Sequence, residues 1–180
     1  MLQILPYSSE HAADIVSLIL PIQQQEFGIA IALDTQPDLR DIAHFYHVAG
    51  GNFWVAVDDG RVVGTVGLLD IGNGQAALRK MFVAASHRGA DRGVAAQLLK
   101  VLFASAGTNG ISDVFLGTTD KFLAAHRFYE KNGFSEVSRD ALPERFPVMA
   151  VDSRFYWRPV DPDEPRRAGA PTASRCASAS

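Results

Sequence analysis

Two segments of this chain carry residue types at spacings that could do chemistry. The first is Leu78-Arg79-Lys80-Met81-Phe82-Val83, followed by His87-Arg88-Gly89-Ala90-Asp91-Arg92-Gly93-Val94-Ala95. An apolar strand there runs into a turn of basic and small residues and then into an amphipathic helix. Such a junction gathers unpaired backbone N–H groups and the positive end of a helix dipole beside Arg88 and Arg92, a physical basis for gripping a phosphorylated ligand. The second is Ala124-Ala125-His126-Arg127-Phe128-Tyr129-Glu130-Lys131-Asn132-Gly133-Phe134. Its tyrosine, Tyr129, can deliver a proton over a short hydrogen bond, and Gly133 stands where a left-handed cap stops a helix.

The loop alone has two readings. It lacks the Gly-Lys-Ser/Thr of a P-loop, and the topology before it is wrong for a dinucleotide-binding fold, so Gly89 and Gly93 equally suit a plain turn and helix start. The elements around the two segments narrow the choice. A first strand spans residues 2–6. Ser8 or Ser9 caps a helix that runs to about residue 20, Pro21 interrupts it, and 22–27 forms a further helical piece. Pro37 opens a helical segment over 38–46. Strands at 53–57, 61–69 and 75–83, joined by Asp58-Asp59-Gly60 and Ile71-Gly72-Asn73-Gly74, make an antiparallel meander. A helix over 93–106 with Val94, Leu98, Leu99, Leu102 and Phe103 on one side follows. A strand at 111–117, a helix at 121–132 and strands at 134–138 and 148–158 complete a β-α-α-β-β-β-α-β-α-β-β order.

That order and the two segments resemble the GNAT N-acetyltransferase superfamily over residues 2–160. In the family an apolar-x-Val strand end leads to Arg-Gly and a glycine-containing loop, matched here by Met81-Phe82-Val83, Arg88-Gly89 and Gly93-Val94-Ala95. The resemblance implies an α/β (α+β) acyl-CoA N-acyltransferase fold: a mixed, mostly antiparallel sheet flanked by helices and splayed between its fourth and fifth strands. It implies acetyl-CoA as co-substrate, with backbone groups of Met81, Phe82 and Val83 meeting the pantetheine arm. N–H groups of Arg88, Gly89, Ala90, Asp91, Arg92, Gly93, Val94 and Ala95 would cradle the pyrophosphate. The stretch Ala125–Phe134 resembles the family's Ala-x-x-Phe-Tyr-x-x-x-Gly-Phe signature, which makes Tyr129 the acid that protonates the departing thiolate. Two departures stand out. The loop between Arg88 and Leu98 is longer than the common spacing, with Ala90 where Gln or Arg is usual, and Phe122 stands where the family often has Asn.

The strand carboxylate that serves many relatives as general base is absent from Gln75-Ala76-Ala77-Leu78-Arg79-Lys80. Glu26, Asp34 and His126 are the substitutes in view, beside a relayed water or an acceptor of low pKa. Residues 23–37 and 141–154 correspond to the family's acceptor walls, and Phe27, Ile29, Ile31, Phe146 and Met149 give them an apolar character. The resemblance implies a small-molecule or peptide amine as acceptor, with a small amine, an amino acid, a peptide N-terminus and a lysine side chain all open. His44, Tyr46 and His47 fall in an expected lid, and no histidine pair has metal-ligand spacing with a third partner, so no metal is expected. An enzyme and a non-catalytic acyl-CoA-binding module of the same fold are the two readings.

A formal net charge of −3 gives no support to bulk binding of nucleic acid or an anionic membrane. The single cysteine, Cys176, excludes an internal disulfide. No apolar run has the length of a membrane span, and the first residues lack a signal-peptide pattern, so a cytoplasmic protein is expected. Residues 161–180 are poor in large apolar side chains and are expected to form a disordered tail after a domain at 1–160. Many relatives are dimers, and the strand at 148–158 is the expected free edge for a homodimer.

Overall fold

The computed structural model describes residues 1–168. The chain runs β1 (Gln3–Pro6), α1 (Ala12–Pro21), a π-helical turn at Ile22–Glu26, α2 (Pro37–Arg40) and α3 (Ile42–Tyr46). The meander β2 (Asn52–Asp58), β3 (Arg61–Gly72) and β4 (Gln75–Val83) follows, then α4 (Val94–Thr108), β5 (Asp113–Thr118) and α5 (Leu123–Lys131). Strands β6 (Ser135–Val137) and β7 (Arg154–Pro159) and helix α6 (Glu164–Ala168) close the chain. One sheet of seven strands has the order β1-β2-β3-β4-β5-β7-β6, antiparallel throughout except between β4 and β5.

Alternation along β2 divides the core. Trp54 and Ala56 face one layer with α4, which buries Val94, Leu98, Leu99, Leu102 and Phe103, while Phe53 and Val55 face the other with Ile15, Ile19, Leu39, Ile42 and Tyr46. Burial of each such leucine or isoleucine is worth about 1.5–3 kcal/mol, so the helical layers clamp the sheet from both faces. The expected single helix over 38–46 is two short ones. Asp41 leaves helical geometry between them, and its carboxylate accepts the His44 N–H at 3.1 Å, capping α3.

Two irregularities shape the centre. Strands β4 and β5 pair only from Gln75↔Asp113 to Ala77↔Phe115 and then separate, so the β5-facing edge of β4 is unpaired from Leu78 onward. On its other edge the β3–β4 register passes from Thr65↔Phe82 to Gly67↔Arg79, so Lys80 and Met81 together oppose Val66. This bulge puts Lys80 at φ 54°.

Three expectations need correcting. The last strand begins at Arg154 rather than 148, because the Met149 N–H donates to Asp152 Oδ2 at 2.9 Å and the Asp152 N–H to the Met149 carbonyl at 3.0 Å, closing a turn. Nor is it an edge: β7 lies between β5 and β6, and the edges are β1 and β6. The expected tail does not begin unstructured at Asp161. Helix α6 packs on α4, where a Cβ at Gly107 would meet Pro165 Cδ at 2.9 Å, and Arg158 Nη2 donates to Glu164 Oε1 at 2.5 Å. The remainder of that tail, with Cys176, lies outside the described residues. Among the described residues no helix is long and apolar enough to cross a membrane, and no group of three His, Cys, Asp or Glu could hold a metal.

Candidate active site

A cavity of about 810 Å³ occupies the gap between β4 and β5 and extends beneath the segment after α1. Of the residues expected at the site, Met81, Phe82, Val83, Arg88, Gly89, Ala90, Gly93, Ala95 and Tyr129 line it. Asp91 and Arg92 are exposed on the outer side of the loop, and the Val94 side chain is buried in the core beneath it.

At the loop end, the first intrahelical bond of α4 is Gln97 N–H to the Gly93 carbonyl, 3.0 Å. Gly93 precedes the helix at φ 61°, a left-handed conformation that glycine adopts without a Cβ penalty, and it offers no side-chain cap. The N–H groups of Val94, Ala95 and Ala96 therefore have no intrahelical acceptor. The set of open N–H groups is smaller than expected. The Arg92 and Gly93 N–H groups are spent on the Gly89 carbonyl at 3.3 and 3.2 Å, and the Arg88 N–H on Ala85 at 3.5 Å. The Arg88 side chain is also engaged: its Nε donates to the Val83 carbonyl at 2.8 Å and its fork grips both oxygens of Glu26. Arg88 thus ties the loop to the end of the π-helical turn. Cations that the sequence reading did not single out, Lys121, Arg127 and Lys131, line the cavity from the α5 side.

At the centre, α5 presents Tyr129 to the cavity. The side chain packs against Phe128, Phe134 and Tyr156. Burial raises its hydroxyl well above the ordinary tyrosine range, so the group holds its proton at neutral pH. Phe122, in the position where the family often has Asn, lies edge-on to Phe27 with ring centroids 4.4 Å apart, closing an apolar wall.

None of the three expected bases is free in the cavity. Glu26 is held below the ordinary carboxylate range by its hydrogen bonds to Arg88. Asp34 sits on an exposed turn. His126 is buried, with Nε2 2.9 Å from the Thr119 carbonyl and Nδ1 2.9 Å from Arg154 Nη1. The guanidinium makes Nδ1 an acceptor, so Nε2 donates to Thr119 and both nitrogens are occupied. The lid expectation also fails at Tyr46, a fully buried residue whose hydroxyl donates to Asp38 Oδ2 at 2.6 Å.

The far end holds charges that were missed. The bulge turns two consecutive side chains, Arg79 and Lys80, onto Asp38 Oδ2, at 3.8 and 3.3 Å. Across the gap the Asp152 carboxyl lies over the backbone of Gly117, where a Cβ would come within 2.5 Å of Oδ2. Desolvation raises that carboxyl above its ordinary value against the lowering influence of Arg79, Lys80 and Arg139. A signal for the first pair exists in the sequence: Arg79-Lys80 interrupts the apolar run Ala77-Leu78…Met81-Phe82-Val83. No local pattern marks Asp152.

A family profile described as the acetyltransferase (GNAT) domain matches residues 49–136. A solved acetyltransferase of the GNAT family from Staphylococcus aureus Mu50 is 39% identical, with a TM-score of 0.86 over 89% of this chain and 100% of that one. The N-acetylaspartate synthetase of Xenopus tropicalis is 39% identical over 104 residues, which are 56% of this chain and 37% of that protein. In fold alone, at 19% identity and a TM-score of 0.68, the chain matches N-acetylglutamate synthase from Neisseria gonorrhoeae, solved with coenzyme A and N-acetyl-glutamate. That match covers 89% of this chain and 35% of the other. The chain spans about half the length, or less, of the curated relatives it matches.

Proposed function

Because this chain belongs to the GNAT acetyltransferase family, we propose that it is an N-acetyltransferase, carrying an acetyl group from acetyl-CoA to a primary amine by direct attack with both substrates bound. One observation carries the reading. A single cavity joins the open N–H groups at the start of α4, the unpaired edge of β4, Tyr129 and a separate charged end. The donors fit a pyrophosphate, and Lys121, Arg127 and Lys131 add positive charge. The β4 edge can hydrogen-bond an extended amide-bearing arm as a neighbouring strand would.

When bound, acetyl-CoA supplies an activated acyl thioester. In this reading the chain's own groups do the rest. The cavity walls align the amine with the carbonyl carbon, and Tyr129, kept protonated by burial, gives its proton to the leaving sulfur. Names of relatives such as N-acetylaspartate synthetase support a small-molecule amine as acceptor.

The test is calorimetric titration with acetyl-CoA, ATP and NAD, followed by thiol release on an amine panel. Selective acetyl-CoA binding with amine-stimulated release supports the enzyme. Binding without release favours the non-catalytic acyl-CoA-binding module, and no binding removes both.

A further inference from the structure

We propose that the charged end of the cavity is an amino-acid subsite: Arg79 receives the acceptor's carboxylate, Asp152 receives its ammonium and takes the proton, and the acceptor's side chain is apolar. This rests on the acetyl-transfer reading and names the acceptor class for it.

Lys80 is the nearer of the two bulge cations to Asp38, which is 1% exposed and already accepts the Tyr46 hydroxyl on the same oxygen. Arg79 stands farther off at 3.8 Å. A guanidinium has five N–H donors in a planar fork. Among the described residues this one makes a single hydrogen bond, from Nη2 to Met149 Sδ at 3.4 Å, and lies 5.4 Å from the Phe45 ring centre. A guanidinium with unspent donors on a cavity wall is a carboxylate receptor.

The same Met149 donates its N–H to Asp152 Oδ2 at 2.9 Å. A cation and an anion therefore flank one residue, both on the cavity wall. On and directly behind the cavity wall, Arg79 and Lys80 are balanced by Asp38 and Asp152; Arg139, which also acts on Asp152, does not line the cavity. A zwitterion adds no net charge, whereas an amine without a carboxylate, or one with two, would leave an uncompensated charge there.

The wall contributed by the segment after α1 is apolar. Gln23 and Gln36 join their amides by two hydrogen bonds of 3.0 Å, and between them the chain carries Ile29 and Ile31 to the cavity, where Phe146 also lines it. The two acids of that stretch stay out of the cavity, Glu26 paired with Arg88 and Asp34 exposed.

The chemistry balances. Asp152 accepts one proton from the ammonium, and the nitrogen attacks the thioester carbonyl carbon. The C–N bond forms and the C–S bond breaks, its electron pair leaving on sulfur. Tyr129 protonates the sulfur and is restored by the second proton lost from nitrogen, while Asp152 passes the first to solvent.

The test is thiol release by the full chain with acetyl-CoA and L-leucine, L-leucinamide or L-aspartate. Leucine should exceed both others in kcat/KM by about tenfold or more. Arg79→Gln should collapse the leucine-to-leucinamide ratio towards one through KM, and Asp152→Asn should lower kcat. Thermal unfolding and acetyl-CoA titration of each variant establish that it is folded. Equal use of leucinamide overturns the inference and leaves acetyl transfer standing. Preference for aspartate overturns the apolar assignment. Release with none of the three overturns the inference, and acetyl-CoA binding then decides whether the functional reading falls with it.

Discussion

The Thr65 hydroxyl donates to the carbonyl of Lys80 at 2.7 Å, so a side chain of β3 closes the bulge of β4. The bulge carbonyl is left out of the ladder, and Thr65, fully buried, supplies its partner. Thr65→Val removes that donor at nearly constant volume and should cost about 1–3 kcal/mol in urea unfolding, with a loss of turnover as Arg79 and Lys80 lose their common direction. Thr65→Ser should restore much of both. An unchanged unfolding midpoint in the valine variant would show that the bulge holds without this bond.

Tyr129→Phe deletes the proposed donor and keeps the packing against Phe134 and Tyr156. The expected result is a kcat lower by about 100-fold or more, with acetyl-CoA affinity little changed. Equal turnover at every pH examined would remove Tyr129 from the mechanism.

Asp38→Asn leaves Lys80 and Arg79 buried without their shared carboxylate. The expected loss is about 3–5 kcal/mol, read by denaturant unfolding. A loss below about 1 kcal/mol would mean that Lys80, whose ammonium burial already disfavours, sheds its proton in the folded chain.

The Arg88–Glu26 pair is more than a third exposed on each side, so Glu26→Gln should cost under about 1 kcal/mol in stability. Its effect should appear instead as weaker acetyl-CoA binding, because the pair moors the loop before α4. The folded Glu26 carboxyl sits below its unfolded value. Its small contribution is therefore present above that unfolded value and lost as pH falls through the folded one. The difference in melting temperature between wild type and variant should accordingly vanish in acid.

All four tyrosines have hydroxyls raised above the ordinary range by burial, Tyr156 to about 12. The folded chain thus keeps protons that the unfolded chain releases above about pH 10, and stability should fall as pH rises past that value. Lys80 acts with the opposite sign, but it is one group against four. Phenolate absorbance should appear together with unfolding. Titration of all four in a folded chain would contradict this.

Local chemistry made much of the fold readable. Alternation wrote the meander, Asp59-Gly60 its first turn, and the spacing of Leu98, Leu99, Leu102 and Phe103 the buried face of α4. Gly133, at φ 87°, takes the left-handed cap assigned to it. The end of the cavity at the start of α4 was partly legible for the same reason: a strand, a glycine turn and a helix start are contiguous, whereas the outward course of Asp91 and Arg92 and the cations beside α5 were not.

Phe27, Ile29, Ile31, Phe146 and Met149 line the cavity as expected, but its charged end was not legible, because those charges meet only in space. Asp38 lies in α2, Arg79 and Lys80 in β4, and Asp152 in a turn before β7, while His126 and Glu26 find partners in Arg154 and Arg88 far along the chain. The sequence by itself determined the family, most of the elements and the place of Tyr129 on its helix, since periodicity and contiguous motifs act over a few residues. Only the tertiary structure decided which charges face the cavity. A one-residue bulge redirects two side chains, and Gly117, by lacking a Cβ, lets a carboxylate from a distant turn settle on the sheet.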